Sequence, residues 1–486
     1  MHLSSPRTDR AAGVLLGQAC GDALGVPYEF ASRRFDPVTG PQMVGGGLGS
    51  YAPGEWSDDT QMAACIARVS ATGQDLTTPA ALDAVAEGFL RWLADGPADI
   101  GSQTSAVLHS TLRHAGDGRP HAVMTDAARR LHERSGRTAG NGALMRTAVV
   151  GLTRLADRDA TARATRAVAA LTHHDPLAGD SCVLWSEAVR RAVVDGVLDL
   201  RGGLDLLPAE HQGFWTETID RAEQDDPSTF TGNGYTVTAL QAAWASIHHT
   251  LPTSDPGPDH LRAALHTAIG IGHDTDTVAA IAGGLLGARY GVSALPLART
   301  RAVHGWPGLR ARDLVHLALR TARQGPEAPQ SWPSAVRMDT GSERPLAAPL
   351  ASDPDVLLGT FADLSRTREL GVDAVVSLCR LGTEEFAPPG VAPADHAEVW
   401  LVDSDDPVGN QHLVWLLDEA ARDVAQLRAE GRRVLLHCVA AHHRTPAVAL
   451  RYLRTRDLDV DTAVAEITAA LGREVDGGLL WKEAQR

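Results

Sequence analysis

The feature that most constrains this chain is its hydrophobic period, which keeps one value for about two-thirds of the length and then changes. From about residue 9 to residue 324 apolar side chains recur at intervals of three and four with few β-branched runs, most clearly in 182–196, 239–248 and 313–323. That spacing lines apolar groups along one side of a helix, so an all-α domain is expected over 1–324. Residues 325–335 (GPEAPQSWPSA) concentrate proline and small polar residues and read as a linker. Beyond it come three short β-type runs, 373–379, 397–402 and 432–438, and helical patterns at 409–430 and 445–456 alternate with the last two. Strands alternating with helices predict a small α/β domain with a parallel sheet over 336–486.

A chain of 486 residues, 44% apolar and 22% charged, is long enough to bury both cores. No run of eighteen apolar residues is present, so no spanning helix and no membrane partner are expected. The first ten residues, MHLSSPRTDR, lack the apolar stretch of a signal peptide, which points to the cytoplasm. The five cysteines are odd in number and never form CxxC, which argues against a disulfide framework and a thiolate zinc site. A formal charge of −15 argues against nonspecific binding to nucleic-acid phosphate.

Two acidic segments carry the chemistry of the first domain. GEWSDDTQMAA (54–64) sets Ser57, Asp58 and Asp59 at the start of a helical pattern, and GHDTDTVAAIAGG (272–284) does the same with Asp274, Asp276 and Thr277. Each segment alone is compatible with helix capping. Brought together, four carboxylates and two hydroxyls would call for a cation, and an all-oxygen donor set suits Mg²⁺, Mn²⁺ or Ca²⁺ better than zinc. An EF-hand is excluded, because Ala279 and Leu285 stand where that loop needs Gly and Glu. Gly17, Gly21 and Gly25 recur every fourth position, as do Ala279, Gly283 and Gly287. Such repetition predicts close backbone approach, either where two metal-bearing loops converge or in ordinary tight helix packing.

GQACGDALGVPYEF (17–30), GEWSDDTQMA, GNGALMR (140–146), LTHHDPLAG (171–179), GNGYTVTAL (232–240) and GHDTDT occur in this order, and together they resemble the ADP-ribosylglycohydrolase family. The resemblance implies a metal-dependent hydrolase that cleaves a ribosyl glycosidic bond in an ADP-ribosylated protein or a small ADP-ribose compound. It further implies two Mg²⁺ ions, or Mn²⁺, held by Ser57, Asp58 and Asp59 and by Asp274, Asp276 and Thr277. Glu29 falls on the family's ribose-side glutamate, where it would position the sugar or act as acid and base. Gly140, Asn141 and Gly142 match a loop lying against ADP-ribose, Gly234 and Tyr235 match adenosine-side contacts, and Asp99 matches more loosely an aspartate near the reacting sugar. Serine replaces the family's usual threonine at position 57, and His273 stands where glycine is common, so the second acidic loop is expected to differ in shape. His173 and His174 are read as structural. A binding module that holds ADP-ribose without cleaving it is the alternative.

The second domain contains VLLHCVAAHHRTPAVAL (434–450), in which Cys438 and Arg444 are separated by five residues between a β-run and a helical pattern. A strand-to-helix loop turns backbone N–H groups inward as an anion cradle, a field that also favours a thiolate. Arg444 can grip phosphate bidentately. The segment resembles the signature loop of dual-specificity cysteine phosphatases. That resemblance makes Cys438 the nucleophile and Arg444 the phosphate ligand, with His437 and Thr445 tuning the thiolate. An acid is expected about thirty residues earlier, at Asp406 with Asp405 next to it and Asp403 in the same run. Ala441 replaces the family's mid-loop glycine, so a cradle needing φ > 0 there would be strained. A phosphate-binding module without turnover remains the alternative for this domain.

Overall fold

Glycine at every fourth position lets two helices meet backbone to backbone, and the first unit of the protein is built around one such pair. The computed structural model describes residues 3–116, 118–253, 257–326, 332–338, 344–475 and 477–486. Its contacts separate Met1–Val292 with Ala302–Pro326 from Ser293–Arg301 with Glu327–Arg486.

In the first unit, helix Ser5–Gly25 runs antiparallel to helix Thr275–Tyr290: Gly13 faces Gly287 and Gly291, and Gly25 faces Thr275 and Asp276. A Cβ on Gly17 would stand 2.4 Å from the carbonyl oxygen of Gly283. Real Cβ atoms do not approach that closely, so only glycine allows the two axes this separation. Both helices are buried on nearly every face, and their apolar residues accordingly run all the way round. Helices Pro176–Asp195 and Thr236–His249 pack about this pair and contain the helical patterns at 182–196 and 239–248. Helix Ala311–Arg323 contains the third. Among the described residues the unit's only paired strands form a short ribbon in which His304–Gly305 pairs antiparallel with Leu309–Arg310; its other regular elements are helices.

The second unit is an α/β layer. Its strands are β1 (Ala348–Pro349), β2 (Val356–Gly359), β3 (Ala374–Ser377), β4 (His396–Glu398) and β5 (Val434–His437), in the spatial order β1-β2-β5-β3-β4. Strands β2, β5, β3 and β4 are parallel, while β1 pairs antiparallel with β2 at one edge, so the expected all-parallel sheet is amended there. The three expected runs became β3, β4 and β5. Strands β1 and β2 were not expected: β1 has two residues, one of them a proline, and β2 is a short apolar run, VLLG, that shows no alternation to set it apart from helix. Helices Leu413–Ala429 and Arg444–Thr455 lie where helical patterns were read, and Val460–Leu471 and Leu479–Gln485 complete the unit.

Two segments near the junction differ from the sequence reading. Residues 327–331 of the expected linker lie outside the described residues. Trp332 and Ala335 are buried, with the Trp332 ring 5.5 Å from that of Trp400 and the Arg380 guanidinium 4.5 Å above it, so the end of that segment is core. Ser293–Arg301 also joins the second unit. There Leu297 N–H donates to Glu419 at 2.8 Å, and the buried Arg301 guanidinium donates to Asp423 at 3.0 and 2.9 Å. Among the described residues, no helix is long and apolar enough to cross a membrane.

Candidate functional site

Ser57 and Asp274 both occupy N-cap positions, and neither side chain caps its helix. The Ser57 hydroxyl lies 2.8 Å from Asp22 Oδ1 and 2.9 Å from Asp59 Oδ2. Asp274 Oδ2 accepts from Asn141 Nδ2 at 2.8 Å. Of the two readings open from sequence, capping is therefore not what these side chains do.

The antiparallel helix pair brings the acidic segments together. One carboxylate oxygen each from Asp22, Asp59 and Asp276 lies within 4.8 Å of the others, and the same holds for Glu29, Asp274 and Asp276. Burial first, and then the neighbouring carboxylates, push the acids of Asp58, Asp59 and Asp276 well above the ordinary range. Burial likewise raises Asp274, against hydrogen bonds from Asn141 and Thr277 that lower it. Glu29 is pushed up to about 8 by burial and by the charges of Asp274 and Asp99. Asp22 is raised to about 6 by burial, although hydrogen bonds from Thr60 and Ser57 oppose the shift. Asp59 Oδ1 and Glu29 Oε2 are buried without a hydrogen-bond partner. Crowded, desolvated carboxylates with oxygens left over form an arrangement that could hold a divalent cation. Asp58 is half-buried at the edge of the cluster, and its strongest neighbouring charge is Asp99, whose carboxylate accepts from Ile100 N–H at 2.7 Å.

The glycine-rich loops are tied into the same place. Gly140 bridges to Tyr235, and Asn141 N–H donates to the Gly234 carbonyl at 3.2 Å. Asn141 Nδ2 also donates to the Asn233 carbonyl at 2.9 Å, while Asn233 Oδ1 accepts from Asp274 N–H at 3.1 Å. Gly142 passes close to His173, a buried ring whose pKa burial lowers to about 3, in keeping with a structural role. The Tyr235 side of the loop is open: the residue is 42% exposed and a Cβ on Gly234 would meet nothing. His273 adopts φ +64, and its carbonyl accepts from Phe30 N–H at 2.7 Å, which links the second acidic loop to the turn carrying Glu29. Sequence reasoning missed Asp22 and Asn233. Signals for both were present: Asp22 is the one charged residue between Ala11 and Gly25, the apolar stretch of its helix, and Asn233 sits in a second GNG.

In the second unit, Cys438 follows β5 and Arg444 opens the next helix. Cys438 and Thr445 are buried, and Thr445 Oγ1 has no hydrogen-bond partner. Ala441 stands at φ +55, the left-handed conformation that the missing glycine led us to expect. His437 is buried between Ser377 Oγ at 2.6 Å and the Cys438 carbonyl at 3.1 Å, and burial lowers its pKa to about 4, so it is a neutral ring. The aspartate facing the loop differs from the expected one. Asp403 Oδ1 lies 3.0 Å from His443 Nδ1, and Asp403 Oδ2 lies 3.5 Å from Arg444 Nε. Asp406 instead accepts from Val408 N–H at 3.0 Å, capping the short turn Pro407–Gly409, and Asp405 accepts from Leu479 N–H at 2.7 Å. A cavity of about 500 Å³ beside the loop is lined by Asp403, Ser404, Asp405, His443 and Trp481 among others.

A family model described as ADP-ribosylglycohydrolase matches residues 3–329. The chain is similar to the ADP-ribosylarginine hydrolase Tri1 of Pseudomonas putida (strain GB-1), with 31% identity over 304 residues, 59% of this chain and 72% of that protein. It is also similar to the ADP-ribosyl-[dinitrogen reductase] glycohydrolase of Rhodospirillum rubrum, with 29% identity over 294 residues, 59% of this chain and 88% of that one. A solved structure described as an ADP-ribosylglycohydrolase-related protein complex matches 66% of this chain and 100% of its own, with TM-score 0.50 and 28% identity.

Proposed function

The chain belongs to the ADP-ribosylglycohydrolase family, and on that premise we propose that its first unit hydrolyses the glycosidic bond joining ADP-ribose to a protein acceptor. The observation that carries this reading is the convergence of Glu29 and Asp274 on one side of Asp276 and of Asp22 and Asp59 on the other, two carboxylate triads that share Asp276. Two Mg²⁺ ions, or Mn²⁺, would be held by Ser57, Asp58 and Asp59 and by Asp274, Asp276 and Thr277. When bound, such ions supply compensating charge and lower the pKa of nearby water. The remaining steps fall to the chain itself. Asn141, held by Asn233 and Asp274, sets the 140–142 loop along the substrate, and Gly234 and Tyr235 leave room for an adenosine group. Bond cleavage passes through an oxocarbenium-like sugar, which the surrounding carboxylates stabilise. Glu29, beside Asp274 and Asp276 and with Oε2 left without a hydrogen-bond partner, is placed to exchange a proton with the attacking water or the leaving group. Asp99 is close enough for its charge to act on both Asp58 and Glu29.

Because one relative is named for arginine, an arginine-linked substrate is the first to try. The test is release of free ADP-ribose from an arginine-ADP-ribosylated protein, with Mg²⁺ or EDTA, by wild type and by Asp276→Ala. Wild type with Mg²⁺ should turn over, and EDTA or the substitution should abolish it. Equal turnover in all arms would remove the reading, and ADP-ribose binding without release would favour a binding module.

For the second unit we propose a phosphate-monoester site with Cys438 as nucleophile and Arg444 as phosphate ligand. What supports it is the buried, unpartnered Thr445 hydroxyl at the start of a helix whose preceding loop carries the cysteine. Hydrolysis of p-nitrophenyl phosphate by the full chain, abolished by Cys438→Ser, is expected. Tungstate binding without turnover would leave only the binding role.

A further inference from the structure

By distance alone Asp22 counts as a cation ligand, since it lies within 4.8 Å of Asp59 and Asp276. Its lone pairs say otherwise. An ionised carboxylate offers about four lone-pair positions. In Asp22, Oδ1 accepts from Ser57 N–H at 2.8 Å and faces the Ser57 hydroxyl at 2.8 Å, while Oδ2 accepts from Thr60 N–H at 3.0 Å and from its hydroxyl at 2.6 Å. Nothing is left over for an ion. Asp59 is the opposite case: Oδ2 lies 2.9 Å from the Ser57 hydroxyl, and Oδ1 is buried with no partner at all.

The Ser57 hydroxyl has one proton and two carboxylate oxygens within reach. Directed at Asp59, that proton would occupy a lone pair in the acidic cluster. Directed at Asp22, it leaves both oxygens of Asp59 and the lone pairs of Ser57 available. We propose that Asp22 is a positioning residue: it takes the Ser57 proton and so presents the oxygens of Ser57 and Asp59 to a divalent cation. The same carboxylate fixes the backbone at 57 and 60, so it also sets the first turn of helix Asp58–Ser70. Serine makes this support more necessary, because it lacks the γ-methyl that stiffens the threonine usual in the family. The proposal rests on the metal-dependent reading of the first unit.

Asp22→Asn tests it by replacing one acceptor oxygen with an N–H₂ that faces donors. Mn²⁺ is titrated calorimetrically into the full chain, with circular dichroism melting to confirm folding. The substitution should weaken Mn²⁺ about 10–100-fold, as expected for a residue that orients ligands. Ser57→Thr added to Asp22→Asn should recover part of the loss. Ser57→Ala, which leaves Asp22 in place, should lose affinity by a comparable factor. Wild-type affinity in Asp22→Asn or in Ser57→Ala overturns the proposal while leaving the metal reading intact, whereas absence of Mn²⁺ uptake by wild type overturns both. In a crystal of the Mn²⁺-loaded protein, an ion within ~2.0–2.6 Å of an Asp22 oxygen, the ligand distance of hard divalent cations, overturns it as well.

Discussion

A Cβ atom on Gly21 would stand 2.1 Å from the carbonyl oxygen of Ala279, in the contact that brings Asp22 and Asp276 into one cluster. Gly21→Ala must push helix Ser5–Gly25 off helix Thr275–Tyr290, because the obstacle is backbone. A destabilisation of about 1–3 kcal/mol is expected, as for overpacking elsewhere, together with weaker Mn²⁺ binding. Gly213→Ala is the control. It lies in helix Ala209–Gln224 with open space around its Cβ position, and it should stabilise by about 0.5–1 kcal/mol. Urea unfolding of both variants decides the matter, and an undisturbed Gly21→Ala would show that the close approach is dispensable.

The raised acids make a prediction about pH. The stability carried by protonated Asp22 and Glu29 is fully present below the ordinary carboxylate range. It is lost as pH rises through about 6 for Asp22 and about 8 for Glu29. Metal-free protein should therefore melt at progressively lower temperature from about pH 5 to about pH 9. Added Mg²⁺ should raise the melting temperature more at the alkaline end, since binding to deprotonated carboxylates displaces protons. Scanning calorimetry in EDTA and in Mg²⁺ reads both effects. An EDTA series that rises with pH over that range would contradict the argument.

Both acidic turns could be read from sequence because charge at the start of an apolar helical pattern is conspicuous, and the glycine series announced the close contact behind them. Asp22 could not be assigned in the same way. Its meaning lies in Ser57 and Thr60, about forty positions away, and spacing within one helix says nothing of them. The Ser293–Arg301 segment was missed for a similar reason: its short helical pattern continues that of the first unit, and its partner Asp423 lies far along the chain. The choice of Asp406 rested on spacing alone. Counting back from Cys438 gives an approximate position and no side-chain direction, whereas aspartate directly before Pro407 is itself a capping signature, and Asp406 does cap that turn.

The three aspartates of 403–406 have different partners. If Asp403 serves the Cys438 loop, Asp403→Asn should slow hydrolysis of alkyl phosphates by about 10²–10⁴-fold, the range for loss of acid–base assistance. p-Nitrophenyl phosphate, whose leaving group needs little protonation, should suffer less. Asp406→Asn should leave both rates near wild type, because its side chain caps the turn Pro407–Gly409 through Val408 N–H, a bond that the asparagine carbonyl can also accept. The reverse ranking of the two variants would return the acid to Asp406.

Ala441 pays for its left-handed conformation, about 1–2 kcal/mol for a residue with a Cβ, and the structure shows what holds it there. Arg473 Nη2 donates to the Ala441 carbonyl at 2.7 Å and reaches the Ala440 carbonyl at 3.4 Å. Removing that guanidinium should let the loop relax and lose its grip on an oxyanion, so Arg473→Ala should weaken tungstate binding to the full chain. Glycine at 441 needs no such restraint, and Ala441→Gly combined with Arg473→Ala should bind tungstate nearly as wild type does. The single change Ala441→Gly should move stability by less than about 1 kcal/mol, since relief of the backbone is offset by glycine's freedom in the unfolded chain and by a lost buried methyl. Titration calorimetry of the four proteins completes the cycle. Additive losses, with no recovery in the double variant, would mean that the loop is held in shape by something other than Arg473.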